Sequence, residues 1–141
     1  MTEEESNNVA LLEKGYAFWH QSKADCEGVS CWMDLLSEDV QWRSLAGGAA
    51  GMEFTLACRS KDEVQRYFQD LGKDWEMVSY NVHEFIAQGD RVVMLGSCEW
   101  KHRSTGKIMK SPKADVHRLR DGKVVDFMEF YDTAAALEAA G

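Results

Sequence analysis

The sequence predicts a single α+β domain in which a curved sheet covers one pocket for a small molecule. Apolar residues recur at helical spacing in the first half of the chain and alternate with polar residues in the second half, and the change falls after Gly72. Helices and strands segregated in this way are typical of α+β folds. The chain has 141 residues without a repeat or a linker, which fits one domain over residues 1–141.

The first half of the chain predicts three helices and one strand. An apolar residue at every third or fourth position predicts a first helix over about residues 8–22, and residues 1–7 before it are expected to be disordered. A second helix is predicted around Trp32 and is expected to stop at the polar residues 37–39. A short strand is predicted to follow at residues 40–45.

The third helix has the clearest start signal in the chain. Ser60 and Glu63 have the spacing of a capping box, in which each side chain accepts a hydrogen bond from a free backbone N–H at the start of the helix. Val64 and Tyr67 begin an apolar stripe on this helix, and Gly72 suits its C-terminal end.

The second half predicts four antiparallel strands and a closing helix. The strands are separated by three turn sequences, at residues 89–90, 104–106 and 120–122. The helix is predicted over residues 133–140, with Asp132 or Thr133 as its N-cap. Pro112 lies inside a predicted strand, so a bulge or an edge position is expected there.

Composition argues against several classes of partner. The formal net charge of −8 would repel a phosphate backbone, so no nucleic-acid partner is expected. The apolar runs are far shorter than the roughly 20 residues that span a bilayer, so no membrane partner is expected either. The acidic N-terminus is unlike a secretory signal, and the four cysteines lack metal-ligand spacing. These features predict a cytoplasmic protein with reduced thiols.

Several segments, in this order and spacing, resemble the SnoaL-like branch of the nuclear transport factor 2-like superfamily, which includes ketosteroid isomerases and polyketide cyclases. They are DVQW at 39–42, SKDEV at 60–64, FIAQGDRVV at 85–93, LRDGKVV at 119–125 and EFYDTAAAL at 129–137. The resemblance implies a cone-shaped, barrel-like fold of the cystatin-like α+β roll type. In it a curved antiparallel or mixed sheet wraps round three N-terminal helices. It also implies a homodimer formed through the outer face of the sheet. The last strand is apolar on both faces, which agrees with a covered outer face.

Asp115 is the first candidate for chemistry. By resemblance it matches the strand position that carries the oxyanion-hole aspartate of ketosteroid isomerases, and it would point into the pocket. Burial of a carboxyl group in an apolar pocket raises its pKa, so that it can donate a hydrogen bond or act as a general acid; ketosteroid isomerase is the established example of this effect. The alternative is a structural carboxylate paired with Lys113, His117 or Arg118.

Glu129 and His117 are the second and third catalytic candidates. A three-residue loop at 120–122 would pair Leu119 with Lys123, place Asp115 opposite Phe127 and keep Glu129 on the pocket face. This register is favoured because it also places Tyr131 where the family has an aromatic residue. A two-residue turn would shift the register by one and remove Glu129 from that face. His117 lies two residues after Asp115 and therefore on the same face, where the pair could transfer a proton near neutral pH.

Seven further residues are expected to contact the ligand: Trp19, Trp42, Ser44, Trp100, His102, Phe127 and Tyr131. Ser44 occupies the position at which the isomerases have their general-base aspartate, so steroid isomerisation itself is not expected. Arg43 beside it is a candidate for binding an anion, with a surface role as the alternative. The glycine-rich segment 47–51 lacks a phosphate-loop signature and is expected to form a lip at the pocket mouth.

Two functional hypotheses follow from these residues. The first is a cofactor-independent acid/base enzyme that isomerises, cyclises or dehydrates a small, mostly apolar carbonyl or hydroxyl compound through Asp115, with help from His117 or Glu129. The second is a non-catalytic domain that binds a small ligand in the same pocket. No metal is expected, since no set of histidines and carboxylates has ligand spacing.

Overall fold

A five-stranded sheet and four α-helices make up the computed structural model of the protein, which describes residues 1–20 and 30–141. The helices are α1 (Glu3–His20), α2 (Ser30–Leu35), α3 (Lys61–Asp74) and α4 (Thr133–Ala140), and a short 3-10 helix covers Glu53–Thr55. The strands are β1 (Leu36–Ser44), β2 (Trp75–Gln88), β3 (Arg91–His102), β4 (Ile108–Arg120) and β5 (Lys123–Phe130).

The sheet has the strand order β1-β5-β4-β3-β2. β1 runs parallel to β5, and the other neighbours are antiparallel. The predicted α+β class and mixed sheet are confirmed. The sheet does not close into a barrel, because β1 and β2 form its two edges.

The helix at the N-terminus begins at Glu3, five residues before the predicted start, so residues 3–7 are helical and the predicted disorder of residues 1–7 is wrong for them. Thr2 and Glu5 form the cap: the N–H of Glu5 donates to Thr2 Oγ1 at 3.1 Å, and the N–H of Thr2 donates to Glu5 Oε1 at 2.7 Å. This is a reciprocal capping box, and the acidic first turn complements the helix dipole. The other carboxylate oxygen of Glu5 accepts from the N–H of Gly89, which ties the helix start to the β2–β3 turn.

The start of α3 is confirmed and its end is not. Ser60 Oγ accepts a hydrogen bond from the N–H of Glu63 at 3.2 Å, whereas the Glu63 carboxylate accepts from the N–H of Arg59 instead of that of Ser60. The helix continues through Gly72 to Asp74, because Gly72 has no positive φ that would end it. The predicted boundary between the second helix and the first strand also differs. β1 begins at Leu36 and includes residues 37–39, which were expected to lie before the strand.

The strand pairing around Pro112 explains how β4 accommodates a proline. Pro112 pairs with Ser97 of β3 on one side. On its other side β5 has already ended, since Phe130 lies opposite Ala114. Pro112 therefore sits at a local edge of β4, where its missing N–H costs no ladder hydrogen bond.

The β4–β5 connection differs from the favoured prediction. The turn has two residues, Asp121 and Gly122, with φ of 51° and 77°, and Arg120 pairs with Lys123. A bulge at Val125 then adds one residue to β5, so that Asp115 lies directly opposite Glu129. The predicted loop and pairings are wrong. The shorter turn and the bulge each shift the register by one residue in the same direction, and the total shift of two residues keeps Glu129 on the face of Asp115.

Gly96 and Gly72 give a matched test of how closely the backbone of neighbouring strands approaches a glycine. A Cβ at Gly96 would lie 2.1 Å from the Asn81 carbonyl oxygen, while a Cβ at Gly72 would meet nothing within 4 Å. We expect Gly96→Ala to destabilise the fold by more than about 2 kcal/mol, because backbone must move. We expect Gly72→Ala to stabilise it by about 1 kcal/mol, because alanine is the better helix former. Urea unfolding of both variants measures this, and equal effects would contradict the close approach at Gly96.

Among the residues that the structure describes, no helix is both long and apolar enough to cross a membrane.

Candidate functional site

One cavity lies between the inner face of the sheet and helices α1, α2 and α3. Its volume is about 680 Å³, including the open mouth. Most of its lining is aromatic: Tyr16, Trp32, Trp42, Phe54, Tyr67, Phe68, Trp75, Tyr80, Trp100, Phe127 and Tyr131. A cavity with aromatic walls fits a flat apolar group.

Three charged side chains from β4 and β5 line the same cavity: Lys113, Asp115 and Glu129. The Lys113 Nζ donates to Glu129 Oε2 at 2.9 Å and lies 3.3 Å from Asp115 Oδ1. All three are almost fully enclosed, with side-chain exposures of 12%, 2% and 8% for Lys113, Asp115 and Glu129. A buried ammonium group held between two carboxyl groups forms a charged cluster at the wall of the cavity.

Three tyrosine hydroxyls surround the two carboxyl groups. Tyr16 Oη lies 2.6 Å from Asp115 Oδ2, and Tyr80 Oη lies 3.3 Å from the same oxygen. Tyr67 donates a hydrogen bond to Glu129 Oε1. These hydroxyls come from α1, α3 and β2, so the cluster joins the helices to the sheet.

The environment shifts the pKa values of this cluster. Burial raises the pKa of Asp115 above its usual range, although Lys113 acts in the opposite direction. Burial lowers the pKa of Lys113, but Asp115 and Glu129 outweigh it and raise that pKa well above its usual value. Burial also raises the pKa values of Tyr16, Tyr67 and Tyr80 well above normal. At neutral pH the lysine is therefore an ammonium ion and the tyrosines are neutral donors.

His117 lies behind the cavity wall and is fully buried. Its Nδ1 is 2.9 Å from the Val92 carbonyl oxygen, and its Nε2 is 2.9 Å from Tyr16 Oη. Its ring stacks on Trp32 at a centroid distance of 6.0 Å. The predicted proximity to Asp115 is present, but Tyr16 Oη lies within hydrogen-bond distance of both groups and links them.

The burial of His117 predicts a loss of stability in acid. Burial lowers its pKa from 6.5 to about 4, so the unfolded chain binds more protons than the folded chain between these values. The stability that this group contributes is present above pH 6.5 and declines as the pH falls towards 4, by about 3 kcal/mol. Urea unfolding at several pH values should show this slope in the wild type and a smaller slope in His117→Phe. Identical slopes would contradict it.

Four of the seven predicted ligand contacts line the cavity. Trp42, Trp100, Phe127 and Tyr131 line the cavity, and Trp42 stacks on Phe127 at 3.7 Å between ring centroids. His102 lies elsewhere: it packs edge-on against Trp75 and accepts a hydrogen bond from the N–H of Thr105.

Ser44 is buried beside the cavity, and its hydroxyl lies 2.6 Å from that of Tyr131. Its backbone partner on β5 is Glu129, so a carboxylate stands one strand away from the position where the isomerase base is missing. Arg43 points the other way, to the outer face, where it pairs with Asp126 at 2.6 Å. The Trp19 side chain lies outside the described residues.

The segment after β1 supplies part of the cavity wall. Met52 is buried and Phe54 is half-buried, and both line the cavity as the predicted lip requires. The backbone turns there at Gly47, Gly48 and Gly51, which all have positive φ.

Sequence reasoning missed the hydroxyl donors Tyr16 and Tyr67 and the role of Lys113 in the cavity. Both tyrosines occupy apolar stripes of their helices, so periodicity assigns them to the core. A signal was nevertheless present, because a buried tyrosine hydroxyl needs a polar partner and buried carboxyl groups need donors. Among the described residues, no group of three or more His, Cys, Asp or Glu side chains is arranged to hold a metal ion.

Comparison with known proteins gives a family match and structural neighbours. The SnoaL-like domain family matches residues 17–127. An NTF2-like protein from Burkholderia thailandensis is 26% identical, with a TM-score of 0.80 over 95% of this chain and 97% of that one. A comparison with curated proteins gives no match.

Two other neighbours have been crystallised with small molecules. TerC, co-crystallised with polyporic acid, is 21% identical, with a TM-score of 0.79 over 95% of this chain and 98% of that one. A hypothetical protein with a ketosteroid isomerase-like fold from Catenulispora acidiphila, in complex with trimethylamine, is 14% identical, with a TM-score of 0.73 over 93% of this chain and 92% of that one. At these identities the likeness concerns the fold.

Proposed function

The chain belongs to the SnoaL-like domain family, and from this premise we propose that it is a cofactor-independent acid/base enzyme. The substrate would be a small, mostly apolar carbonyl or hydroxyl compound, and the reaction an isomerisation, cyclisation or dehydration. The observation that supports this proposal most directly is the Asp115–Lys113–Glu129 cluster at the wall of an aromatic cavity. Carboxyl groups with different surroundings in one pocket can have different pKa values, as acid/base chemistry requires.

Asp115 and Glu129 would have different roles. Burial raises the pKa of Asp115, so it is suited to donate a proton to a substrate oxygen. Glu129 is hydrogen-bonded to the Lys113 ammonium group, which stabilises the charged carboxylate. Because Glu129 lies beside Ser44, it is placed to replace the base that the isomerase pattern has on β1.

The shape of the cavity supports a flat ring as the bound group. Trp42 and Phe127 stack with their rings 15° from parallel, and both line the cavity. Polyporic acid, the ligand of TerC, is therefore a suitable first probe, followed by small ring ketones.

A non-catalytic binding domain is the second candidate, and one observation favours it. Asp115 is 1% exposed, and Lys113 covers its Oδ1. A carboxyl group enclosed in this way would anchor the lysine and orient a ligand without exchanging protons with it.

Proton exchange separates the two candidates. Compounds that raise the melting temperature would be incubated with the protein in deuterated water, and deuterium at the carbon next to the carbonyl group would be measured by NMR. The enzyme proposal expects exchange well above the rate in buffer for at least one compound. Binding without exchange for all bound ketones would contradict the enzyme and support the binding domain.

We also propose that the outer face of the sheet binds a second copy of the chain. A row of apolar side chains crosses four strands at matched register: Ile86, Val93, Val116 and Met128. Ile86 is 51% exposed, and Phe130 beside the row is 41% exposed. Water-exposed sheet faces are usually polar, so an apolar row of this length fits a covered face.

Light scattering at micromolar concentration tests this proposal. The wild type should have the mass of a dimer, and Val116→Asp should have the mass of a monomer with the cavity intact. Asp126→Asn, a change of similar size on the same face, should remain dimeric. A monomeric wild type would contradict the proposal.

The free thiols of Cys58 and Cys98 are both buried, which supports a reducing, cytoplasmic location. Cell fractionation would test it.

A further inference from the structure

We propose that Asp115, Tyr16 and His117 form a proton relay, in which one proton moves between the carboxyl group and the imidazole through the tyrosine hydroxyl. The relay would let Asp115 act as an acid or as a base in the proposed reaction, in addition to the base Glu129. Its part in turnover rests on the proposed function, whereas its existence does not.

The hydrogen bonds of His117 determine which ring nitrogen carries its proton. Its Nδ1 lies 2.9 Å from the carbonyl oxygen of Val92. A carbonyl oxygen only accepts hydrogen bonds, so Nδ1 carries a proton. In the neutral ring Nε2 is then an acceptor, and Nε2 can donate only if the ring is an imidazolium ion.

The Tyr16 hydroxyl has one proton and two close neighbours. Asp115 Oδ2 lies at 2.6 Å and His117 Nε2 at 2.9 Å. If Tyr16 donates to a neutral His117, the short contact with Asp115 requires that Asp115 is protonated and donates to Tyr16. If Tyr16 donates to an Asp115 carboxylate, His117 must be an imidazolium ion that donates to Tyr16. Both arrangements contain the same number of protons.

The charges around the relay favour the first arrangement at rest. Lys113 makes its shorter contact with Glu129, at 2.9 Å against 3.3 Å to Asp115, so these two groups balance each other. With Asp115 and His117 both neutral, the first arrangement adds no buried charge to this pair, whereas the second arrangement buries two more ions and carries their desolvation cost.

The groups that face His117 agree with a neutral ring. Four uncharged groups contact the ring: Tyr16 of α1, Trp32 of α2, the Val92 carbonyl of β3 and Phe127 of β5. The Lys113 ammonium group of β4 also disfavours a positive charge on the ring. Among the described residues, no carboxylate contacts the ring directly. Burial accordingly lowers the pKa of His117 to about 4.

The second arrangement is reached by two linked proton transfers. The O–H bond of Asp115 breaks as a new O–H bond forms on Tyr16, and the original O–H bond of Tyr16 breaks as an N–H bond forms on His117. One proton has then moved from Asp115 to His117, leaving a carboxylate and an imidazolium ion. Asp115 is an acid before the shift and a base after it, with Tyr80 and Lys113 close to the new carboxylate.

The experiment is a spectroscopic test on the full chain without substrate. At pH 7 we expect ¹⁵N NMR to show His117 as a neutral ring with its proton on Nδ1. We expect infrared spectra to show a protonated carboxyl band that disappears in Asp115→Asn. Tyr16→Phe should shift the His117 Nε2 resonance, because it removes the hydroxyl proton that Nε2 accepts.

Tyr80→Phe is the matched control. It removes another hydroxyl from the same Asp115 oxygen but should leave the His117 resonances unchanged. An imidazolium at pH 7, no carboxyl band assigned to Asp115, or His117 resonances that do not respond to Tyr16→Phe would each overturn the relay. If Tyr16→Phe does not fold, the wild-type ring state and the Asp115 band decide. Because the test uses no substrate, the relay can be contradicted while the proposed function holds. The proposed function can likewise be contradicted while the relay holds.

Discussion

Replacing Asp115 with Asn is expected to reduce turnover by about 100- to 10,000-fold while ligand binding persists, which is the range lost with a general acid or base. The amide has the shape of a protonated carboxyl group and can still donate to Tyr16, 2.6 Å away. It cannot give up that proton at neutral pH. Deuterium exchange into a bound ketone and thermal shift measure the two quantities separately.

The same substitution should change stability little. In the resting arrangement proposed above, Asp115 is neutral and asparagine is its neutral isostere, so the Lys113–Glu129 pair stays balanced. Asp126→Asn is the control for turnover, because Asp126 lies on the outer face and pairs with Arg43. Unchanged turnover in Asp115→Asn would exclude Asp115 as a catalyst.

Replacing Lys113 with Met is expected to reduce the free energy of unfolding by about 3–5 kcal/mol, because it leaves the buried carboxylate of Glu129 without its cation. Glu129 is 6% exposed and hydrogen-bonded to Lys113 at 2.9 Å. Urea unfolding at pH 7 measures the loss.

Two further variants identify its cause. Lys113→Met combined with Glu129→Gln removes both charges and should recover most of the stability, since a buried pair is often replaceable by neutral groups. Lys110→Met removes an exposed lysine, 3.7 Å from Glu99, and should cost less than about 1 kcal/mol. A loss in Lys113→Met as small as that in Lys110→Met would show that the cluster is well hydrated.

The fold could be predicted because its signals are local and repeated. The strand alternation from Trp75 to Phe130, the Ser60 cap and the closing helix each follow from neighbouring residues. The inward direction of Asp115 and His117 follows from the same alternation, since both are buried on β4. The alternation of side chains between the two faces can be recognised in one strand without knowing which strand pairs with it.

The contacts of the site could not be predicted in the same way. Tyr16 and Asp115 are 99 residues apart in sequence, and Tyr67 and Glu129 are 62 apart. Nothing near either tyrosine indicates whether its hydroxyl meets water or a carboxylate. The turn after Arg120 was ambiguous for a different reason, because Asp121-Gly122 suits a loop of two or of three residues. The bulge at Val125 could not be predicted either, because two successive valines do not indicate which of them is left unpaired.

The bulge at Val125 limits how this connection can change during evolution or design. Deleting Val125 alone would rotate every residue from Asp126 onward to the opposite face, so that Met128 would enter the cavity and Glu129 would leave it. Deleting Val125 while lengthening the turn by one residue would keep the order of faces. Viable homologues should therefore gain or lose residues here in compensating pairs, and a single insertion or deletion should abolish the site while sparing most of the apolar core.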